Sequence, residues 1–351
     1  MKVLALLLAI CLLLSGCGWM DGSYASVTPH RIKDQPQEQA MPSVRNITQL
    51  KDALAKLVEQ GAQTGRFSVE EFHSSALADS MDMAIEEIQA KHPIGAYALE
   101  SITYELGTTG GVSAVAVTLT YTRSDDEIRA IQSVANMEQA QKRVTDALTD
   151  FDSGVVLRIR QFQELDFSQV VESFTQQNPD LVMEMPQVTA TVYPQEGLDR
   201  VVDIRFSYQT GRDALRTMRN YVEPVFTSAA LYVSSEEETA AVKYARLYTF
   251  LMERNDYQVN TSITPSYSLL RHGVGDSKAF AMVYAAMCRK AGLECRLVTG
   301  TRQGEAWFWN IIREDGAYYH VDVLNPAGYV RYTDTQMADY VWDYSDYPAC
   351  G

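Results

Sequence analysis

The chain reads as an α+β protein: two repeated strand–helix–strand–strand–helix units followed by a separate α+β region at the C-terminus. Three observations predict this. Segments 66–150 and 155–224 show the same succession of alternating and helical apolar patterns. Residues Tyr267 to Pro326 run through a glycine turn, an apolar helix, a strand and a two-stranded hairpin. Length agrees, because 351 residues less an apolar leader of 17 leaves 334, more than one core usually serves.

The leader carries Lys2, an apolar run from Val3 to Leu14, and then Leu14-Ser15-Gly16-Cys17. That run is too short for a spanning helix but suits the core of a signal peptide. An ordinary secretory signal with an incidental cysteine is one reading. The Leu-Ser-Gly-Cys ending resembles the bacterial lipobox, and the resemblance implies cleavage before Cys17 and acylation of that residue, palmitate included. Residues 1–17 are then a lipoprotein signal, and the partner is the membrane, reached from its extracytoplasmic face through a lipid anchor that binds far more durably than one chain would.

Residues 18–45 are polar, with Pro29, Pro36 and Pro42, and read as a flexible tether. Formal net charge is −15, and removing the leader deletes Lys2 and no acid. Such an acidic surface argues against nucleic acid as a partner, and against docking on anionic lipid by charge alone. Cys11 leaves with the leader and Cys17 is the lipid site, so Cys288, Cys295 and Cys350 remain. Three thiols allow one bridge at most; a Cys288–Cys295 bridge and simple core packing are both open. No Cys or His cluster has metal-ligand spacing, so no metal and no cofactor is expected.

The duplicated region is expected over 46–228. Leu50, Leu54, Leu57 and Val58 mark a first helix, with Asn46 and Gln49 as a capping pair. In the first unit Phe67-Ser68-Val69 opens a strand, and Leu77, Met81, Ile85 and Ile88 mark a helix ending near Pro93. Two alternating runs turn at Gly110-Gly111, and a helix follows from Asp125. In the second unit Val155, Leu157 and Ile159 alternate, and Phe167, Val170 and Phe174 mark a helix ending near Pro179. Two more strands turn at Glu196-Gly197, then a helix runs through Leu215, Met218 and Val222. His73 and His92 stand alone, and the units read as scaffold or as binding modules.

The C-terminal domain is expected over 229–351. Lys243, Leu247, Phe250 and Leu251 mark a helix before Asn255. After Gly273 and Gly275 a second helix opens at Asp276 or Ser277, with Phe280, Val283, Tyr284, Met287 and Cys288 on one apolar stripe and Gly292 as its left-handed stop. Cys295 to Thr299 is a strand, and Asp315-Gly316 is the dipeptide best suited to a two-residue hairpin turn. That turn sets Glu314 opposite Ala317 and Trp309 opposite Asp322, with Trp307 a diagonal neighbour of Asp322. Positions 277, 307 and 322 are therefore candidates to converge at a helix N-terminus.

This stretch, roughly Glu236 to Pro326, resembles the core of the transglutaminase-like superfamily, a papain-related α+β fold. The family pattern is a glycine turn, a Cys opening a helix, His-Ala-Trp-Asn on one strand and a tyrosine-rich Val-Asp on the next. The turn, the helix, Trp309-Asn310 and Tyr319-His320-Val321-Asp322 all match. Two positions depart: Ser277 stands at the Cys position and Trp307 at the His position, so of the triad only Asp322 remains. A serine hydroxyl without a base is a poor nucleophile, and an indole nitrogen can only donate. Loss of triad members costs on the order of 10⁴-fold or more in rate.

The resemblance thus implies a degenerate, inactive triad and a transglutaminase-like pseudoenzyme. The expected function is non-catalytic binding or scaffolding of envelope peptides, glycans or proteins. The alternative is a serine-dependent amidase, peptidase or acyltransferase on envelope peptides. For that alternative the sequence offers only His320 and His272; a His before Val-Asp is common in active relatives, so a structural role is expected for His320. The aromatic tail (Tyr329, Tyr332, Tyr340, Trp342, Tyr344, Tyr347) reads as core packing for the most part, with a ligand groove as the other reading.

Overall fold

A computed structural model describes residues 41–72, 76–259 and 262–351. The leader, Cys17, His73 and nearly all of the tether lie outside the described residues. Helix α1 (Ile47–Glu59) leads into β1 (Thr64–Ser68), α2 (Leu77–Lys91) and the short α3 (Pro93–Ala98). A hairpin of β2 (Leu99–Thr109) and β3 (Val112–Tyr121) closes an antiparallel sheet of order β1–β3–β2. Next come α4 (Asp125–Arg129), β4 (Gln132–Asn136), α5 (Met137–Thr149), β5 (Gly154–Gln161), α6 (Phe167–Gln177), β6 (Gln187–Tyr193), β7 (Arg200–Ser207) and α7 (Arg212–Tyr232). Their sheet has the order β4–β5–β7–β6, with β4 parallel to β5 and the other pairs antiparallel.

The two sheets are entered by the same local construction. The Asn46 side chain accepts from the Gln49 N–H at 3.0 Å while Gln49 Oε1 accepts from the Arg45 N–H at 2.9 Å. Asn136 and Gln139 repeat both bonds, at 3.0 Å each, the second from the Ala135 N–H. Leu50, Leu54 and Val58 are buried on α1; Ala140, Val144 and Leu148 are buried on α5. The chain then turns through a left-handed residue, Gly61 (φ 64°) in one case and Phe151 (φ 54°) in the other. Ser43 bridges Ser68 in parallel, as Ser133 pairs with Arg158. Each of these pairs is separated by 90 residues (136 − 46, 151 − 61, 133 − 43).

Two details differ from the sequence expectation. The helix beginning at Asp125 has its capping box, Ser124 with Glu127, yet ends at Arg129. Val134 pairs with Ile159 across the β4–β5 ladder and is buried there at 5% exposure, so the chain is extended where a helix was expected. Helix α5 consequently belongs with the sheet that follows it. At Gly197 (φ 100°) the turn is broader than two residues, since β6 ends at Tyr193 and β7 begins at Arg200.

The C-terminal part contains α8 (Ala240–Met252), β8 (Asp256–Tyr257), α9 (Pro265–His272), β9 (Val274–Gly275) and α10 (Ser277–Lys290). These precede β10 (Cys295–Arg302), β11 (Glu305–Glu314), β12 (Ala317–Val321) and β13 (Tyr340–Trp342), an antiparallel sheet of order β12–β11–β10–β13. Asp315 (φ 50°) and Gly316 (φ 88°) make the expected turn, and Glu314 pairs with Ala317. Gly292 (φ 76°) is the left-handed stop after α10. α10 is apolar on nearly all sides because it lies inside the protein: eleven of its residues, from Ser277 to Cys288, are buried. One core runs from Val134 through Phe226 on α7 to Phe280 and Val323, so the expected boundary at 228–229 falls inside α7. Trp309, Ile311, Trp342, Met337 and Cys350 form a smaller core with Val298. No helix among the described residues is long and apolar enough to cross a membrane.

Candidate functional site

Asp276 caps α10, its Oδ1 accepting from the Ala279 N–H at 2.9 Å, and this fixes Ser277 as the first helical residue. Ser277 is buried, 6% exposed. The parallel pairing of β8 with β9 sets Tyr257 beside Gly275, two residues before Ser277. The Tyr257 ring packs on Trp307 (centroids 5.7 Å apart), and the Lys278 ammonium lies 5.5 Å from the Phe308 ring centre. The start of α10 and residues 307–308 of β11 are thus neighbours. At its middle β11 is pinned by the buried Asn310, whose Nδ2 donates to Ala281 O on α10 at 2.9 Å.

Trp307 and Asp322 meet directly: indole Nε1 donates to Asp322 Oδ2 at 3.0 Å. The same oxygen accepts from Tyr340 OH at 2.6 Å and Arg302 Nη1 at 3.2 Å, while Oδ1 accepts from the Leu324 N–H at 2.9 Å. Arg302 also lies over the Trp307 and Tyr340 rings, 5.2 and 5.4 Å from their centres. Asp322 is therefore a fully buried carboxylate with four donors, one of them the cationic Arg302. Burial first, then the hydrogen bond to Asp322 and its charge, push the Tyr340 phenol far above its ordinary value, so it stays a donor. Sequence reading missed Arg302, and it named Tyr340 only among the tail aromatics, not as a partner of Asp322. A Gln303-Gly304 turn, with the same left-handed geometry as Asp315-Gly316, was the available signal for Arg302; for the pairing of Tyr340 with Asp322 there was none.

His320 is buried and has both nitrogens engaged. The Trp309 indole donates to Nδ1 at 3.0 Å, which leaves the proton on Nε2, and Nε2 donates to Asp334 Oδ1 at 2.9 Å. Asp334 Oδ2 in turn accepts from the Cys350 N–H at 3.1 Å. One ligand atom from each of His320, Asp334 and Cys350 lies within 4.8 Å of the others. The set does not suit a cation, because metal on Nε2 would need the proton on Nδ1, where the indole N–H points. Burial also pushes the Cys350 thiol up to about 12, away from the thiolate a metal takes. His272 ends α9 and packs edge-on against Tyr267 (5.7 Å); His92 caps α3 through Nδ1, far along the chain.

Most of the tail is structural. Trp342 packs on Trp309 and His320, Tyr329 on Tyr248, and Tyr347 OH accepts from the Thr299 N–H. Tyr344 is exposed (63%) and lies on Trp342 with centroids 4.4 Å apart. Cys288, Cys295 and Cys350 are all free, buried thiols.

Residues 227–333 match the model of the Transglutaminase-like superfamily, so the chain carries a transglutaminase-like domain there. Among solved structures it is similar to a TGase (9% identity, 56% of this chain and 59% of that one, TM-score 0.27). It is also similar to a protease candidate from Parabacteroides distasonis (9% identity, 62% and 35%, TM-score 0.24). A third likeness is to a cysteine-protease candidate from Cytophaga hutchinsonii (14% identity, 47% and 70%, TM-score 0.25). The chain spans 59% of the length of the first of these. No curated protein matches the chain.

Proposed function

We propose that the transglutaminase-like domain is a non-catalytic binding module, carried by a lipid-anchored lipoprotein of a bacterial cell envelope. The observation that carries this reading is the state of Asp322. In a working triad this residue orients an imidazole; here its oxygens hold Trp307, Tyr340, Arg302 and a backbone N–H. His320 is not available as a proton acceptor for Ser277, since both of its nitrogens are committed elsewhere. What remains beside Ser277 is surface suited to contact: Tyr257 is 42% exposed next to Trp307, and Ile263 and Met185 are exposed nearby. Envelope peptides, glycans or proteins are the ligand classes for such a site, and no cofactor or nucleic acid enters the reading.

The purified chain and a Ser277→Ala variant, assayed with peptide, ester and glutamine–amine substrates, are expected to give the same background rate. Turnover that disappears in the variant would establish the rival, a serine-dependent amidase, peptidase or acyltransferase. The converse experiment is the double change Ser277→Cys with Trp307→His. A thiol moved from pKa about 8.5 to about 6 gains on the order of 75-fold in thiolate near pH 6.5, and its lower basicity returns most of that. Alkylation about fivefold faster than in Ser277→Cys alone is the expected result. Equal rates would mean that the backbone no longer sets 277 and 307 in triad geometry.

Anchoring rests on Leu14-Ser15-Gly16-Cys17. Expressed in a bacterial host with a fatty-acid analogue, the protein is expected to take up label, and Cys17→Ala to lose it. Label that persists in that variant would sink the anchor.

A further inference from the structure

The first sheet ends in an open edge. In β3 the odd-numbered residues face β1: Ser113 O accepts from the Val69 N–H at 2.9 Å, and the Leu119 N–H donates to Gln63 O at 2.8 Å. Even-numbered residues of β3 therefore face β2, where Thr118 meets Thr103 and Ala116 meets Glu105. By the same alternation Ile102, Tyr104 and Leu106 turn their backbone N–H and C=O groups away from β3. No strand among the described residues pairs with that side. The strand has neither proline nor lysine, residues that commonly guard an edge, and Leu106 is 55% exposed. In the second sheet the edge strand β6 is shorter, and Gln195 Nε2 closes its end by donating to Val192 O at 2.8 Å.

Helix α2 runs antiparallel alongside the β2 edge. Gln89 Nε2 donates to Glu100 O at one end, and Tyr104 OH donates to Asp82 Oδ1 at the other, both at 3.2 Å. Between them lies a groove of about 660 Å³, walled by Asp82, Ile85, Glu86 and Gln89 of α2 and by Ile102 and Tyr104 of β2. Its carboxylates are uncompensated. Asp79, Asp82 and Glu86 form no ion pair among the described residues, while Lys51 pairs with Glu87 and the Lys91 charge acts there too. Burial, then the hydrogen bond to Asp82 and the charges of Asp82 and Asp79, raise the Tyr104 phenol, so both acids act on one end of the groove. On the opposite face Glu105 has Arg66 in its row, across Ala116.

We propose that the open edge of β2 docks a basic polypeptide segment, which adds as a fourth strand with lysine or arginine at alternate positions. The free N–H and C=O groups of Ile102, Tyr104 and Leu106 supply the main-chain bonds. Spacing and charge supply the choice of side chain. Asp82 and Glu86 stand four residues apart on α2, about 6 Å along the helix, close to the roughly 6.8 Å between alternate residues of a strand. A second copy of this chain is the poorer occupant. Antiparallel pairing of two β2 strands would set two α2 helices side by side on one face, acids against acids. This surface lies outside the transglutaminase-like domain, and the docking does not rest on the binding reading above.

The purified full chain is titrated with a capped, fluorescent seven-residue peptide that alternates threonine and lysine. Saturable binding is expected, with the amides of Ile102, Tyr104 and Leu106 exchanging with deuterium at least tenfold more slowly and that of Ala190 on the β6 edge unchanged. Glutamate in place of lysine should abolish binding. Two isomers, N-methylated on the lysine amides or on the threonine amides, carry the same charge but lose donors on opposite edges. One should bind at least tenfold more weakly than the other, whichever way the segment runs. Asp82→Asn with Glu86→Gln should weaken the lysine peptide about fivefold. Leu106→Pro should weaken it at least tenfold, since it removes an outward N–H and leaves the β2–β3 ladder intact. Strand addition is overturned by absent saturation, by equal binding of the two methylated isomers, by binding of the glutamate peptide, or by unchanged exchange at the three amides. A dimer of the chain that Leu106→Pro dissociates would overturn it as well, giving the edge to a second copy.

Discussion

Asp322→Ala is expected to destabilise the protein by about 3–5 kcal/mol, read as a lower urea midpoint at unchanged slope. The carboxylate side chain is wholly buried, and its removal strands four donors at once. Arg302, 23% exposed, suffers most, because its charge keeps two aromatic faces but loses its counter-ion. Asp322→Asn should cost less, about 2 kcal/mol, since one oxygen still accepts while the new amide N–H₂ meets a donor head-on. A catalytic carboxylate held for an absent imidazole would behave otherwise, and a cost below about 1 kcal/mol would show that Asp322 is not the structural anchor argued here. The comparison bears on function directly. The more of its binding capacity Asp322 spends on Trp307, Tyr340 and Arg302, the less is left to orient a general base.

Local chemistry carried most of what could be read before the fold. Asp315-Gly316 fixed a register in which Glu314 meets Ala317, and that register alone brought Trp307 to Asp322. Asn46 with Gln49 and Gly292 after α10 were legible for the same reason, since each acts within a few residues of itself. Features made by distant pairing were not. Tyr340 reaches Asp322 only because β13 returns to pair with β10, placing Tyr340 opposite Arg302 some forty residues later in the chain. β4 is extended because it lies parallel to β5, a partner that its own five residues do not announce. The lipobox is as local a signal as any, but it lies outside the described residues.

His320→Leu is expected to cost about 3 kcal/mol near neutral pH, and the cost should shrink as the pH falls. His320 joins Trp309 to Asp334, and Asp334 holds the Cys350 backbone, so the ring ties β11 and β12 to the C-terminal end of the chain. Leucine fills much of the space but leaves the indole N–H and an Asp334 oxygen without partners. The pH dependence follows from burial, which holds His320 below the ordinary histidine value; the Asp334 bond and charge pull it back only in part. Below about pH 6.5 the unfolded chain therefore binds a proton that the folded chain refuses. The contribution is complete above that pH and declines as pH falls toward the folded value, by at most about 1.4 kcal/mol per unit. His92, lowered by burial and then by Arg158, adds a second decline of the same sign in both proteins. Urea midpoints near pH 7 and near pH 5.5 should show the parent losing stability faster than the variant, so that the gap between them narrows. A gap that stays constant or widens would mean that His320 is charged in the folded state. The Trp309 indole could not then be donating to Nδ1, and the case against a cation at His320, Asp334 and Cys350 would fall with it.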